Sequence, residues 1–288
     1  MSRKSLHDSQ GEKATCTRAV ALRTAPPWRA IIIGLDGAAG RGVRDAATPN
    51  IDAVMAGGAR TYSARTVYPS ASFQAWGAMF HGVGPEKHNL GGNTPITEDA
   101  AWPSFMKIAR QVRPETKCAS FSCWEPINSK IIEPSCNCHC VSMGDPELVA
   151  AAVEYIPANK PDIFFMQLDF IDHAGHRDGY MTEEYLKQIS ATDVLVGKVI
   201  DAIRKAGLYD DSLIAILSDH GGVDHTHGTD HDDCMTVFWS CRGPGIASGR
   251  ELDSDVNIMD TAAVVAQCLG LKKPAGWDAK IPAGVFAR

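Results

Sequence analysis

The sequence predicts an α/β domain, with a mainly parallel central sheet, helices on both faces and a small or absent cap. Three observations carry that reading. Short apolar runs that suit buried strands alternate with longer stretches of helical periodicity, the pattern of strand–helix–strand units. Three of the runs end in acidic residues, as at the carboxyl edge of an open parallel sheet. The chain has 288 residues, 44% of them apolar and 22% charged, which is enough for one sizeable core.

Residues 1–28 lack apolar periodicity, close on Ala25-Pro26-Pro27-Trp28 and read as an extension outside the core. Residues 29–288 read as one catalytic domain. Ala30 to Leu35 is β-branched and apolar, and the Gly34-Leu35-Asp36-Gly37 that closes it reads as a strand running into a tight turn. Thr48 and Pro49 then form a helix start, and Gly57-Gly58 a stop, for a helix over 49–56. Ala64 to Tyr68 is strand-like and halted by Pro69. Residues 72–81 suit a helix that begins at Ser72. Amphipathic helices are expected from Glu147 to Tyr155 and from Glu183 to Ala206. Buried strands are expected at 162–168, 212–217 and 235–241. The range 92–145 carries mixed signals and reads as an insertion that can cover the site.

The net charge of −6 argues against binding to a nucleic-acid duplex, which calls for a basic face. No apolar run approaches the roughly 18 residues of a membrane-spanning helix. The N-terminus has no signal-like apolar run, so the expected location is cytoplasmic. Its Ser, Thr and Arg are also compatible with an organellar transit peptide. Nine cysteines at irregular spacing do not form a disulfide framework. Cys136-Asn137-Cys138-His139-Cys140 reads as a loop with free thiols, a soft-metal site being the alternative.

Chemistry concentrates at the strand ends. Asp36 follows the first strand, Asp169 and Asp172 follow 162–168, and Asp219-His220 follows 212–217. One acid at such a place is an ordinary helix cap. Three strand ends delivering Asp, or Asp with His, to one edge point to a divalent cation, and the mixture suits Zn²⁺ or Mn²⁺. Six of the ten histidines lie between 173 and 231. Asp172…His176 has the spacing of two ligands one helical turn apart. Asp169…His173 has the same spacing, but the Gly175 and Gly179 context favours the first pair.

Four blocks in order carry a family resemblance. They are Gly34-Leu35-Asp36-Gly37 with Thr48-Pro49-Asn50; Tyr68-Pro69-Ser70-Ala71-Ser72-Phe73 with His81-Gly82 and Pro85-Glu86-Lys87-His88; Asp172-His173-Ala174-Gly175-His176; and Ser218-Asp219-His220-Gly221-Gly222 with His227-Gly228 and Gly243-Pro244-Gly245. Spread over residues 30–246, they resemble the alkaline phosphatase superfamily, in particular its type I phosphodiesterase and nucleotide pyrophosphatase branch. The resemblance implies two metal ions. One is held by Asp36, Asp219, His220 and the nucleophile Ser72. The other is held by Asp172, His176 and a further histidine. That histidine is His227 or His231, and the spacing from His220 favours His231. Ser70 is a second candidate for the nucleophile. The resemblance also puts a phosphate-binding amide at Asn93 and a base-stacking ring at Phe73.

The implied activity is hydrolysis of a small-molecule phosphate ester, nucleotides included, through a phosphoseryl intermediate on Ser72. A phosphomonoesterase or phosphonate hydrolase is the alternative. A sulfatase ranks lower, because Phe73-Gln74-Ala75-Trp76 has neither the Pro nor the Arg of that branch. A mutase ranks lower because the length leaves little room for a cap, and an inactive metal-binding scaffold because the ligand set is full. His225 is expected to be a loop or supporting residue, His81 a cap, His88 a residue that shapes the Asn93 loop, and Trp76 core.

Overall fold

The computed structural model describes residues 29–91, 94–253 and 255–287. Asn93, the expected phosphate-binding amide, and the extension 1–28 lie outside the described residues. The strands are β1 (Ala30–Leu35), β2 (Ala59–Arg65), β3 (Cys118–Ser122), β4 (His139–Val141), β5 (Ile163–Leu168), β6 (Leu213–Leu217), β7 (Thr236–Arg242) and β8 (Arg250–Glu251). The helices are α1 (Gly40–Asp45), α2 (Pro49–Ala56), α3 (Ser72–His81), α4 (Pro85–His88), α5 (Phe105–Val112), α6 (Asp145–Asn159), α7 (Phe170–Asp178), α8 (Glu183–Lys205), α9 (Asp232–Met235) and α10 (Asp260–Cys268). A single π-helical turn covers Ile127–Ile131.

The strands form one sheet in the order β4-β3-β5-β1-β6-β7-β2-β8. The five strands from β4 to β6 are mutually parallel. Only β7 opposes its neighbours: it is antiparallel to both β6 and β2. This is the mainly parallel α/β sheet that the sequence predicts.

Both faces of the sheet are buried, which is why the central strands are apolar along their whole length. In β1, Ala30 and Ile32 enter one core with Trp76, Phe80, Phe105 and Val264, from α3, α5 and α10. Ile31, Ile33 and Leu35 enter the other with Val54, Leu148, Tyr185 and Val196, from α2, α6 and α8. Ile32 pairs in register with Phe165 and Ala215 on its two neighbours. Truncating Ile32 to Ala is expected to cost roughly 2–5 kcal/mol, because so central a site has little room to collapse.

Helix α8 shows why the long element forms. The Thr182 side chain accepts from the Tyr185 N–H, Glu183 and Glu184 stand in the first turn, and Arg204 and Lys205 in the last. Its buried face includes Asp193, whose carboxylate accepts from the Asn50 and Ile51 N–H groups. Thr48 holds the N-cap position of α2 without making a side-chain cap bond, so α8 supplies the cap instead.

Two expectations are corrected. The second strand spans 59–65 rather than 64–68. Beyond Arg65 the chain leaves the sheet, and the Thr66 N–H donates to the Met235 carbonyl. Within 92–145, β3 pairs in parallel with β5 and β4 with β3, so part of that range builds the edge of the central sheet. Among the described residues no helix is long and apolar enough to cross a membrane.

Candidate active site

Adjacent strands β5, β1 and β6 end at one edge of the sheet. Asp36 follows β1, Asp169 and Asp172 follow β5, and Asp219 and His220 follow β6. Helix α3 starts at the same place, with Ser72 as its first residue. Ser72 Oγ lies 3.4 Å from Asp36 Oδ1 and 3.3 Å from His220 Nε2. His220 Nε2 is in turn 3.4 Å from Asp36 Oδ1 and 3.4 Å from Asp219 Oδ2. The runner-up hydroxyl, Ser70, is buried and donates to the Thr229 carbonyl at 2.6 Å, which commits it to the loop.

A second group forms beside the first. Asp172 Oδ2 is 3.3 Å from His176 Nε2, and Asp172 Oδ1 is 3.9 Å from His227 Nε2. Two trios have mutually close ligand atoms that suit a cation: Asp172, His176 and His227; and Asp36, Asp172 and His220. Asp172 belongs to both. His231 belongs to neither. It is half exposed and accepts the Asp233 N–H at the start of α9. The residue count from His220 favours His231, but the chain turns back between 223 and 226 and delivers His227 to the site instead. Asp169 and His173 pair with each other at 2.9 Å, outside both trios. The cysteines of 136–140 enter neither trio.

The side chains fit a divalent cation on three counts. First, Asp219 Oδ2 is buried and has no hydrogen-bond partner, while Oδ1 accepts from the Gly37 N–H. A bare carboxylate oxygen in the interior is costly unless a charge meets it. Second, burial and then the Asp219 charge push the Asp36 carboxyl well above the usual carboxylate range, with His220 opposing. Burial likewise raises Asp219. No lysine or arginine is among the groups that act most strongly on either. Third, each histidine turns Nδ1 to a backbone carbonyl: His176 to His225 at 2.9 Å, His220 to Gly221 at 2.8 Å and His227 to Ser70 at 3.0 Å. In the tautomer those bonds select, Nε2 keeps its lone pair and faces the site. Burial pushes His227 down to about 4, so it is neutral and ready to ligate at ordinary pH.

The nearby supporting residues sort clearly. His225 holds His176 through its carbonyl, as a supporting residue should. His88 Nδ1 accepts the Leu90 N–H at 3.0 Å, which fixes the chain just after α4. His81 is fully buried, with its ring nitrogens at the Trp102 and Ile131 carbonyls, so it is a core residue rather than a surface cap. Phe73 meets Trp124 edge to face at a centroid distance of 4.5 Å, and Lys130 lies over its ring.

Sequence reasoning passes over Asp145, Gln167 and Tyr180, and gives Trp76 only as core. Asp145 accepts the Asp169 and Phe170 N–H groups and so caps α7. Gln167 and Trp76 both donate to Asp36 Oδ2, and Tyr180 donates to Asp172 Oδ1. Only Gln167 leaves a visible signal, a polar residue inside the apolar strand Ile163–Leu168.

Comparison with known proteins identifies the family. The sequence profile of the family described as Type I phosphodiesterase / nucleotide pyrophosphatase matches residues 30–111 and 97–268. Over 138 residues the chain is 27% identical to a 2,3-bisphosphoglycerate-independent phosphoglycerate mutase of Natronomonas pharaonis, a match covering 46% of this chain and 26% of the mutase. Over 116 residues it is 27% identical to arylsulfatase K of Danio rerio, covering 34% of this chain and 21% of the sulfatase. The chain therefore spans about a quarter of the length of these curated relatives.

Among solved structures, murine ectonucleotide pyrophosphatase / phosphodiesterase 5, as an inactive variant in complex with AMP, superposes with a TM-score of 0.72 at 14% identity. That match covers 87% of this chain and 97% of the murine one. The 2-O GAG sulfatase BT1596 superposes at 0.73 with 14% identity, over 89% and 73% of the two chains. At such identities the likeness is one of fold.

Proposed function

The chain belongs to the type I phosphodiesterase / nucleotide pyrophosphatase family, and on that premise we propose that it hydrolyses small, nucleotide-like phosphate diesters through a phosphoseryl intermediate on Ser72. As a member it is a hydrolase of the alkaline phosphatase superfamily. The observation that carries the finer reading is the Ser72 hydroxyl, held at the N-terminus of α3 within 3.4 Å of Asp36 Oδ1 and 3.3 Å of His220 Nε2.

The residues that would hold two divalent ions, zinc or manganese, are Asp36, Asp219, His220 and Ser72 for one, and Asp172, His176 and His227 for the other. Bound there, the ions supply Lewis acidity, which favours the serine alkoxide and stabilises the attacking and leaving oxygens of an in-line displacement. The chain does the rest. Ser72 Oγ forms a bond to phosphorus as the ester oxygen leaves. The N-terminus of α3 adds partial positive charge to the same point. Backbone N–H groups near Ser72 and the Asn93 amide hold a non-bridging oxygen. Water then attacks the phosphoserine and frees Ser72. Phe73, with Trp124 against its edge, forms an aromatic wall beside the nucleophile on which the base of a nucleotide substrate would stack.

The murine relative's complex with AMP supports a nucleotide as substrate. Against a sulfatase stands the run Phe73-Gln74-Ala75-Trp76, which lacks the proline and arginine of that branch. The deciding experiment compares rates on bis-p-nitrophenyl phosphate, p-nitrophenyl phosphate, p-nitrophenyl phenylphosphonate and p-nitrophenyl sulfate. The diester is expected to be fastest. A faster monoester or phosphonate would move the assignment to the second reading, and a faster sulfate would overturn it.

A further inference from the structure

Two carboxylates of the site are held in the same way. Asp36 Oδ2 accepts from Trp76 Nε1 at 2.9 Å and from Gln167 Nε2 at 2.9 Å, so Oδ1 is left facing Ser72 and His220. Asp172 Oδ1 accepts from the Tyr180 hydroxyl at 2.5 Å and lies 3.9 Å from His227 Nε2, while Oδ2, without that bond, faces His176 at 3.3 Å. In each case a neutral aromatic donor fixes one oxygen, and the other is the one nearest a histidine of the site.

Each donor also sits in a slot made by glycine. A Cβ on Gly34 would stand 2.2 Å from Trp76 Cη2. Tyr180 lies between Gly175 and Gly222, where added Cβ atoms would stand 2.5 Å and 2.4 Å from its ring. Both rings are buried, so neither can leave its slot without opening the core. The slot glycines fall within the motifs themselves: Gly34 two residues before Asp36, Gly175 beside His176, and Gly222 two residues after His220.

We propose that Trp76 and Tyr180 are positioning residues of the two metal sites: each is wedged over glycine and holds the outer oxygen of Asp36 or Asp172, so that the inner oxygen is aimed at the cation. The choice of neutral donors follows from the charge already present. A lysine or arginine at either place would compete with the cation for the carboxylate, whereas an indole N–H or a phenol orients it and leaves its charge in place. The glycines of the motifs thus serve side chains that lie outside them.

The inference rests on the two-metal reading, so the test reads metal binding directly and starts from metal-free protein. Tyr180→Phe keeps the ring in its slot and removes one oxygen. It is measured in a His220→Ala background, which leaves Asp172, His176 and His227 as the intact site. Trp76→Phe is measured in a His227→Ala background, which leaves the site of Asp36, Asp219 and His220. Each is expected to weaken zinc binding, followed by calorimetry, by about 10–100-fold relative to its background. Each is also expected to alter the visible spectrum of the cobalt(II)-loaded protein. A residue that only fills space would leave the spectrum unchanged. Zinc affinity within twofold of the background for Tyr180→Phe, or an unchanged cobalt spectrum, overturns the proposal whether or not the Trp76 variant folds. A parent protein that binds no zinc or cobalt would instead sink the two-metal reading, and the proposal with it.

Discussion

The hydroxyl of Ser72 stands between a carboxylate and an imidazole, 3.4 Å from Asp36 Oδ1 and 3.3 Å from His220 Nε2. Both partners sit at the ends of neighbouring strands, and the serine opens a helix, so three elements converge on one oxygen. Ser72→Ala is therefore expected to lower turnover by on the order of a thousandfold or more. Its metal content, read by elemental analysis, should stay near that of the parent, because Asp36, Asp219 and His220 remain. Ser70→Ala should lower turnover far less, since that hydroxyl is committed to the Thr229 carbonyl.

His227 and His231 are separated by one substitution each. His227 faces Asp172 and His176, while His231 caps α9. His227→Ala is expected to lose about one equivalent of metal and most activity. His231→Ala should keep both, with a stability loss of about 1 kcal/mol for the missing cap. Equal metal loss in the two variants would contradict this assignment.

Asp219 ties stability to function in opposite directions. Its buried carboxyl has a raised pKa, so its favourable contribution is complete below the unfolded value and is lost as pH rises through the folded one. At neutral pH the metal-free protein carries that penalty. Asp219→Asn removes it and keeps the acceptor for the Gly37 N–H. Its melting temperature without metal is expected to rise by a few degrees. Zinc should raise the parent's melting temperature more than the variant's, and the variant should be nearly inactive.

His88 gives a pH dependence away from the metal ligands. Burial pushes it down to about 4, while an unfolded histidine titrates near 6.5. Between those values the unfolded state binds more protons, so stability is present above pH 6.5 and falls as pH drops toward 4, by roughly 3 kcal/mol at most. Urea unfolding of the parent and of His88→Gln at pH 7 and pH 4.5 should show a smaller loss in the variant. The difference between the two cancels the contribution of His227, which titrates in the same range.

Sharply punctuated elements are legible from the sequence. Helix α3 matches its expected span because Ser72 opens it and Gly82, in the left-handed conformation, closes it. The central strands are legible because burial on both faces makes them continuously apolar. β2 is displaced from its expected position because Ala59–Arg65 is half polar and pairs only near the edge of the sheet. β3 and β4 escape notice because they are short and rich in Cys, Ser and His.

The carboxylates of the site are legible because each follows a strand. Trp76 and Tyr180 are not, because a buried aromatic looks like core until its polar atom is seen to reach a partner. For Trp76 that partner is 40 positions away in the chain. The sequence names His227 beside His231, and the choice between them depends on how the 221–231 loop folds back rather than on residue count.

The central claim is that two cations in these two side-chain groups act with Ser72. It is tested most directly by adding zinc or manganese to the metal-free protein and following hydrolysis of bis-p-nitrophenyl phosphate. The expected result is no turnover after exhaustive chelation and a rise that saturates near two equivalents of metal, abolished in Ser72→Ala. Turnover that survives chelation, or that is unchanged in Ser72→Ala, would contradict it.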